Sequence, residues 1–339
     1  MNNMSNERDA VVATVARPWS ERLTTVWRRW LQAMLSTVIL FGQFGCSDTH
    51  QQSTQEQRPA EGTIVVYVTN YPLKYFAERI GGEQVEVHFP APPDEDPAYW
   101  MPGLDTISKF QQADLILLNG AGYERWADAV SLPKSKLCHT SAEFASDYIA
   151  LENAGTHSHG PEGEHAHGGT AFTTWLDPSL AVKQAEAICA SLSKLRPGQV
   201  DALRENFDSL KSDLETLDQE LADIVAKASA SDQPVLFSHP VYQYLERRYG
   251  LNARSVHWEP DEPPTDAMWA ELEELLDEHP AKWMIWEGEP LDKISDKLAE
   301  LGLVSIVYDP CASTPREGDY LAAQHKNLAA LAKVYSELP

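Results

Sequence analysis

The stretch PGQVDALRENFDSLKSDLETLDQELADIVAKASA, residues 197–230, decides the fold. Steps of four and three alternate along it and place its apolar residues on one face of an α-helix: Leu203, Phe207, Leu210, Leu214, Leu217, Leu221 and Ile224. Pro197 suits the first helical turn, where no amide hydrogen is needed. The helix, roughly 45 Å long, could be a coiled coil with a partner. Its polar face lacks a regular e/g charge alternation, so we interpret it as an internal strut between two lobes.

Strands and helices alternate on both sides of this helix. Before it, β-rich runs at 63–69, 84–89 and 114–120 are separated by amphipathic segments, with a weaker strand near 136–140 and a helix over 141–151. After it, the strand-like runs are 234–238, 251–258, 282–287 and 303–309. Such alternation indicates βαβ units with parallel sheets. We therefore predict an α/β protein with lobes at 62–196 and 231–339, joined by the helix at 197–230.

The N-terminal segment has the pattern of an export signal. Five arginines precede a short apolar run, Leu31 to Gly45, which ends at Cys46. The Phe-Gly-Cys ending resembles a bacterial lipobox, so we predict a signal at 1–45, lipidation of Cys46 and a polar tether at 46–61. A plain cleaved signal or an uncleaved anchor are the alternatives.

Composition sets further bounds. The chain has 339 residues, of which 43% are hydrophobic, and can bury a large core. Its formal net charge of −24 repels nucleic acid and attracts cations. The four cysteines are scattered and show no CxxC zinc spacing.

Candidate ligands follow the predicted strands. In open α/β sheets, ligands bind beyond the carboxyl ends of the strands. His239 comes directly after the strand at 234–238, Glu287 ends the run at 282–287 and Asp309 ends the run at 303–309. The loop containing 94–100 follows the strand at 84–89. We expect all of these to line one crevice.

At this point the sequence resembles the substrate-binding proteins of zinc and manganese ABC importers, the ZnuA-like family, over nearly all of residues 62–339. The resemblance rests on several phrases: DPAYWMPGLDTISKFQQADLILLNG at 96–120, WLDPSLA at 175–181, LFSHPVYQYLERRYGL at 236–251, YDP at 308–310, and the pair Tyr320 and Asn327. The family fold is two α/β lobes bridged by one long helix.

The resemblance implies a metal site with one ligand from each of four loops. His239 falls on the third position and Asp309 on the aspartate position. The first two histidine positions are occupied by Ala98 and Thr173, which are not zinc ligands. Replacement donors could be Glu287, His257 or the 94–96 loop.

A histidine-rich loop could supply further donors. Residues 155–169 read GTHSHGPEGEHAHGG, and family members often carry such an insertion beside the cleft. We expect its four histidines, His157, His159, His165 and His167, to capture metal, because neutral imidazole is a common zinc donor.

These features predict an exported protein, not an enzyme. It would bind Zn²⁺ (Mn²⁺ is the less favoured cargo), pass it to an ABC permease and sit on the membrane through its lipid, as a monomer that does not bind nucleic acid. One alternative is a diverged relative that buffers metal on its loop or binds a non-metal solute. Another is a hydrolytic zinc enzyme using His239, Asp309 and Glu287, which no HExxH spacing supports.

Overall fold

The computed structural model describes residues 62–93, 95–151, 156–158, 164–166, 169–226 and 233–336, with the backbone alone for 156–158 and 164–166. All of these belong to one compact unit, Gln57–Pro339. The predicted signal, Cys46 and the tether up to residue 61 lie outside the described residues.

The first lobe is built on a parallel sheet. Its elements in chain order are β1 (Ile64–Val68), α1 (Tyr71–Gly81), β2 (Val85–His88), α2 (Leu104–Gln112), β3 (Leu115–Leu118), α3 (Arg125–Ala129) and β4 (Leu137–His139). The strands lie in the order β2-β1-β3-β4. Asn70 starts α1 by accepting a hydrogen bond from the amide of Leu73, and Pro72 occupies its first turn. The weaker strand predicted near 136–140 is present as β4.

The helix predicted over 141–151 is wrong. Short 3₁₀ turns run from Ala142 to Asp147, and Phe144 departs from helical geometry with φ −117° and ψ 29°. The ring of Phe144 is buried in the core, so its packing overrides local helix preference.

Two short strands form within the histidine-rich segment. They are β5 (Thr156–Ser158) and β6 (Glu164–Ala166), paired antiparallel with His157 opposite His165. His159 and His167 lie outside the described residues. The helix α4 (Pro178–Leu195) follows, and Asp177 caps it by accepting from the amide of Ser179.

The long helix is α5 (Val200–Ala226), preceded by a 3₁₀ turn at Pro197–Gln199. At 1.5 Å per residue it is about 40 Å long, and residues 227–230 of the predicted helix lie outside the described part. Six of the seven predicted apolar residues are buried, but Val225 replaces Ile224 at the end of the seam. A seven-residue repeat drifts by about 20° on a straight helix, so after three repeats Ile224 lies at the margin of the core, where it is half-buried, and Val225 takes the buried position.

The second lobe repeats the alternation. Its elements are β7 (Pro234–Phe237), α6 (Gln243–Tyr249), β8 (Asn252–Ser255), α7 (Asp266–Glu278), β9 (Trp283–Trp286), α8 (Asp292–Glu300), β10 (Val304–Val307) and α9 (Tyr320–Ser336). These strands are also parallel, in the order β10-β9-β7-β8.

The bridging helix packs on both lobes, against α1 and α4 of the first and α9 and α6 of the second. One hydrophobic core runs through α5 and both sheets. The predicted α/β class with one long connecting helix is confirmed, whereas the chain limits of the lobes stay a prediction. Within the described residues, every helix is too short or too polar to cross a bilayer.

Candidate metal centre

His239 lies two residues beyond β7, and its side chain is buried. Its Nδ1 lies 3.3 Å from Oε1 of Glu259, and its ring meets the ring of His257 edge-on at 5.7 Å between centroids. The strand end therefore places a buried imidazole next to a carboxylate.

Glu259 and Glu287 complete a group of possible metal donors with His239. The ligand atoms of these three residues all lie within 4.8 Å of one another. Glu287 follows β9 directly, and Glu259 lies beyond β8. Because β7, β8 and β9 are parallel neighbours, their carboxyl ends bring the three side chains to one edge of the second sheet.

The carboxylates of this edge repel one another. Burial, together with the nearby charges of Glu259, Asp96 and Asp309, raises the pKa of Glu287 to about 8. Without a cation, burial and the neighbouring carboxylates therefore both disfavour the charged form of Glu287. A divalent cation bound here would neutralise that repulsion.

Asp309 lies beside this group. It follows β10, and its Oδ1 accepts a hydrogen bond of 2.7 Å from the amide of Cys311. Burial raises the pKa of Asp309, and the bond from Cys311 opposes that rise. Asn327 holds the Asp309 backbone in place through bonds of 2.9 and 2.8 Å to its amide and carbonyl. Asp309 is thus a neighbour of Glu287, but it is outside the group that falls within 4.8 Å.

The first lobe places no histidine in this cleft at positions 98 and 173. Ala98 is buried, and its amide is bonded to Asp96. Thr173 donates its hydroxyl to the carbonyl of Val241 in the second lobe, so that oxygen ties the lobes together. Tyr99 comes within electrostatic reach of Glu259 and Glu287 from the first lobe.

The structure does not describe the side chains of the remaining predicted site residues. His157 and His165 are paired in the backbone register of β5 and β6, and His159, His167 and Cys46 lie outside the described residues. Their roles stay predictions.

Glu259 was missed by sequence reasoning. The same rule that selected Glu287 would have found it, since Glu259 directly follows the strand predicted at 251–258. The strand itself ends earlier, at Ser255, and the extended segment that follows carries Glu259 toward His239.

Two parallel sheets joined by one long helix, with an imidazole and two carboxylates at a strand edge, define a two-lobed binding protein with a candidate cation site. The chain belongs to the ZnuA family, described as zinc-uptake complex component A, periplasmic, whose model matches residues 66–334. That family is one of extracytoplasmic uptake components and not of enzymes, as the sequence predicted.

Named relatives agree with this membership. The zinc-binding lipoprotein AdcA of Streptococcus pneumoniae (strain ATCC BAA-255 / R6) is 26% identical over 288 residues, which cover 81% of this chain and 56% of AdcA. The chain therefore spans little more than half the length of that relative. The high-affinity zinc uptake system protein ZnuA of Bacillus subtilis (strain 168) is 27% identical over 296 residues, covering 82% of this chain and 90% of ZnuA.

Solved structures share the fold. The metal-dependent lipoprotein YcdH of Bacillus subtilis superposes with a TM-score of 0.69 at 23% identity, covering 80% of this chain and 98% of that one. The Zn(II)-bound ZnuA-like domain of Streptococcus pneumoniae AdcA gives 0.69 at 22% identity, covering 81% and 100%.

Proposed function

We propose that this protein captures a divalent transition metal, zinc, outside the cytoplasm and delivers it to an ABC importer. The observation that carries this proposal is the group formed by His239, Glu259 and Glu287 at the edge of the second sheet. Membership of the ZnuA family and the zinc named in its relatives support the choice of cargo.

The donor chemistry suits zinc. A neutral imidazole nitrogen and carboxylate oxygens are ordinary zinc ligands, and three of them leave one tetrahedral position open. Asp309 lies close enough to Glu287 to act on its charge and would add a donor or balance the ion. Carboxylates also suit Mn²⁺, which is the less favoured cargo because the named relatives bind zinc.

The finer assignments follow from the sequence. Lipid on Cys46 would hold the protein, as a monomer, at the membrane beside the permease, in line with the word lipoprotein in the name of AdcA. The four histidines His157, His159, His165 and His167 would act as a further donor set next to the cleft.

The test is calorimetric titration of the mature protein with zinc at neutral pH. We expect one tightly held zinc ion, and we expect His239→Ala to weaken its binding by more than tenfold, or about 1.4 kcal/mol. Deleting residues 156–168 should do the same if a loop histidine supplies a ligand, and the two losses should then be non-additive.

The outcomes separate the candidate functions. Zinc that binds only weakly, and only while 156–168 is present, would favour a metal buffer on the histidine-rich segment. An intact protein that binds no zinc would contradict the proposed function.

A further inference from the structure

Tyr123 is a buried residue whose polar atom has no assigned role. It follows β3 and is 1% exposed, and its hydroxyl makes no hydrogen bond to the residues that the structure describes. Buried polar groups are nearly always paired in folded proteins, so an unpaired one calls for an explanation.

The neighbours of Tyr123 belong to the part of the first lobe that meets the second lobe. Its ring packs edge-on against Phe172 at 5.2 Å and Trp175 at 5.7 Å, the residues on either side of positions 173 and 174. Asp96 and Tyr99, which flank Ala98, lie within its electrostatic reach. The neighbours of Tyr123 therefore include residues adjacent in sequence to both positions where the family resemblance implies histidines.

The same surroundings connect Tyr123 to the second lobe. Trp175 donates its Nε1 hydrogen, at 2.8 Å, to the carbonyl of Pro310, which follows Asp309. Tyr99 reaches Glu259 and Glu287. Asp96 acts electrostatically on both Tyr123 and Glu287, which links the hydroxyl to the cation donors of the second lobe.

The chemistry of Tyr123 argues against direct zinc ligation and favours hydrogen bonding. Burial, and after it the charge of Asp96, raises the pKa of its hydroxyl well above the usual value, so it stays a neutral phenol. A neutral phenol is a weak zinc ligand, but its oxygen can accept a hydrogen bond from the O–H of a coordinated water.

We propose that the Tyr123 hydroxyl hydrogen-bonds a water molecule that the bound cation retains. This inference rests on the proposed function. His239, Glu259 and Glu287 would fill three positions of a tetrahedral ion and leave the fourth for that water. The cargo is then a partly hydrated divalent cation, and Tyr123 is the positioning residue that the first lobe supplies in place of an imidazole.

The test compares Tyr123→Phe with Tyr335→Phe in the mature protein. Tyr335 in α9 is also buried, and its hydroxyl likewise has no partner among the described residues. The preceding residue in the chain, Val334, accepts a hydrogen bond from Gln233, which lies just before the amino end of β7. The candidate metal centre lies at the other, carboxyl end of that strand. Both changes remove one buried hydroxyl, and neither should lower the zinc-free melting temperature.

Zinc affinity, measured with zinc chloride and a competing chelator, separates the two variants. We expect Tyr123→Phe to bind zinc about three- to tenfold more weakly than the wild type, the usual effect of one neutral hydrogen bond, and Tyr335→Phe to match the wild type. Equal affinity of all three proteins would overturn the role of Tyr123 alone. A wild type that binds no zinc would overturn the proposed function and this inference with it.

Discussion

Replacing Glu259 by glutamine tests where the cation sits. Glutamine keeps the shape of the side chain but removes its charge. At 4.8 Å and an effective dielectric of about 20, a pair of unit charges interacts by about 3.5 kcal/mol. A divalent ion at that distance or closer would lose at least about 7 kcal/mol of attraction.

Relief of repulsion offsets part of this loss. Glu287 lies within the same 4.8 Å, so losing the Glu259 charge removes about 3.5 kcal/mol of carboxylate repulsion at that limiting distance and more at a shorter one. With both separations taken at the limit, the net effect is about 3.5 kcal/mol, which is a loss of more than about a hundredfold in zinc affinity. Chelator competition at fixed ionic strength measures it directly.

A matched variant separates direct coordination by Glu259 from the electrostatic effect of the protein's overall negative charge. Glu262→Gln removes the same charge three residues away at an exposed position, where solvent and salt screen it, so zinc affinity should change less than about twofold. Equal losses in the two variants would refute a direct ligand role for Glu259. If Glu259→Gln kept wild-type zinc affinity while Asp309→Asn lost most of it, the ion would instead be bound by Asp309, as the family resemblance implies.

Three further predictions concern the fold and the anchor. Leu214→Asp places a charge in the fully buried seam of α5 and should cost about 4 kcal/mol of unfolding free energy, whereas exposed Ser212→Asp should cost under about 1 kcal/mol; equal melting curves would contradict this packing. Burial raises the pKa of Glu124 from 4.5 to about 7, so the stability that its proton gives the folded state is present below pH 4.5 and lost as the pH rises through 7. The unfolding free energy of Glu124→Gln, measured with urea relative to wild type, should therefore rise by about 3 kcal/mol between pH 4.5 and 8. The exposed variant Glu143→Gln gives the baseline, and a difference that stays constant with pH would refute the prediction. Cys46→Ser should move the protein from the detergent phase to the aqueous phase, and unchanged partitioning would argue against lipidation.

Periodicity predicted most of the fold because the strongest signals are local. The seam from Leu203 to Leu221 and the apolar run at β3 each identify one kind of element without tertiary information. The failure at 141–151 has a tertiary cause, because the burial of Phe144 sets the backbone there. Val225, and not the predicted Ile224, is the buried residue at the end of the helix, because a seven-residue pattern matches the 3.6-residue helical period only over short lengths.

The candidate site was harder to predict because it depends on distances between separate strands. The strand-end rule selected His239, Glu287 and Asp309, and the structure brings the first two together. It could not rank Asp309 below Glu259, since that order depends on the bond from Cys311 to Asp309 and on the course of the chain after β8. Sequence spacing carries neither fact.

The polar groups at the strand ends differ between the two sheets, and this difference favours the second lobe as the place of the proposed cation site. In the first lobe the polar groups bond to one another: the Glu124 carboxylate accepts from the hydroxyl of Thr69 and from the amides of Asn119 and Gly120. Gln184 adds bonds of 3.0 and 2.9 Å to Asn119 and Thr140.

In the second lobe the corresponding groups are like charges, and burial with the neighbouring carboxylates raises the pKa of Glu287 to about 8. The hydrogen-bonded groups around Glu124 in the first lobe have their partners already and gain little from a cation. The neighbouring carboxylates of Glu259 and Glu287 in the second lobe are stabilised by one. The first lobe's strand ends are therefore already satisfied by hydrogen bonds, whereas at the proposed site in the second lobe relief of carboxylate repulsion would add to the attraction of a cation.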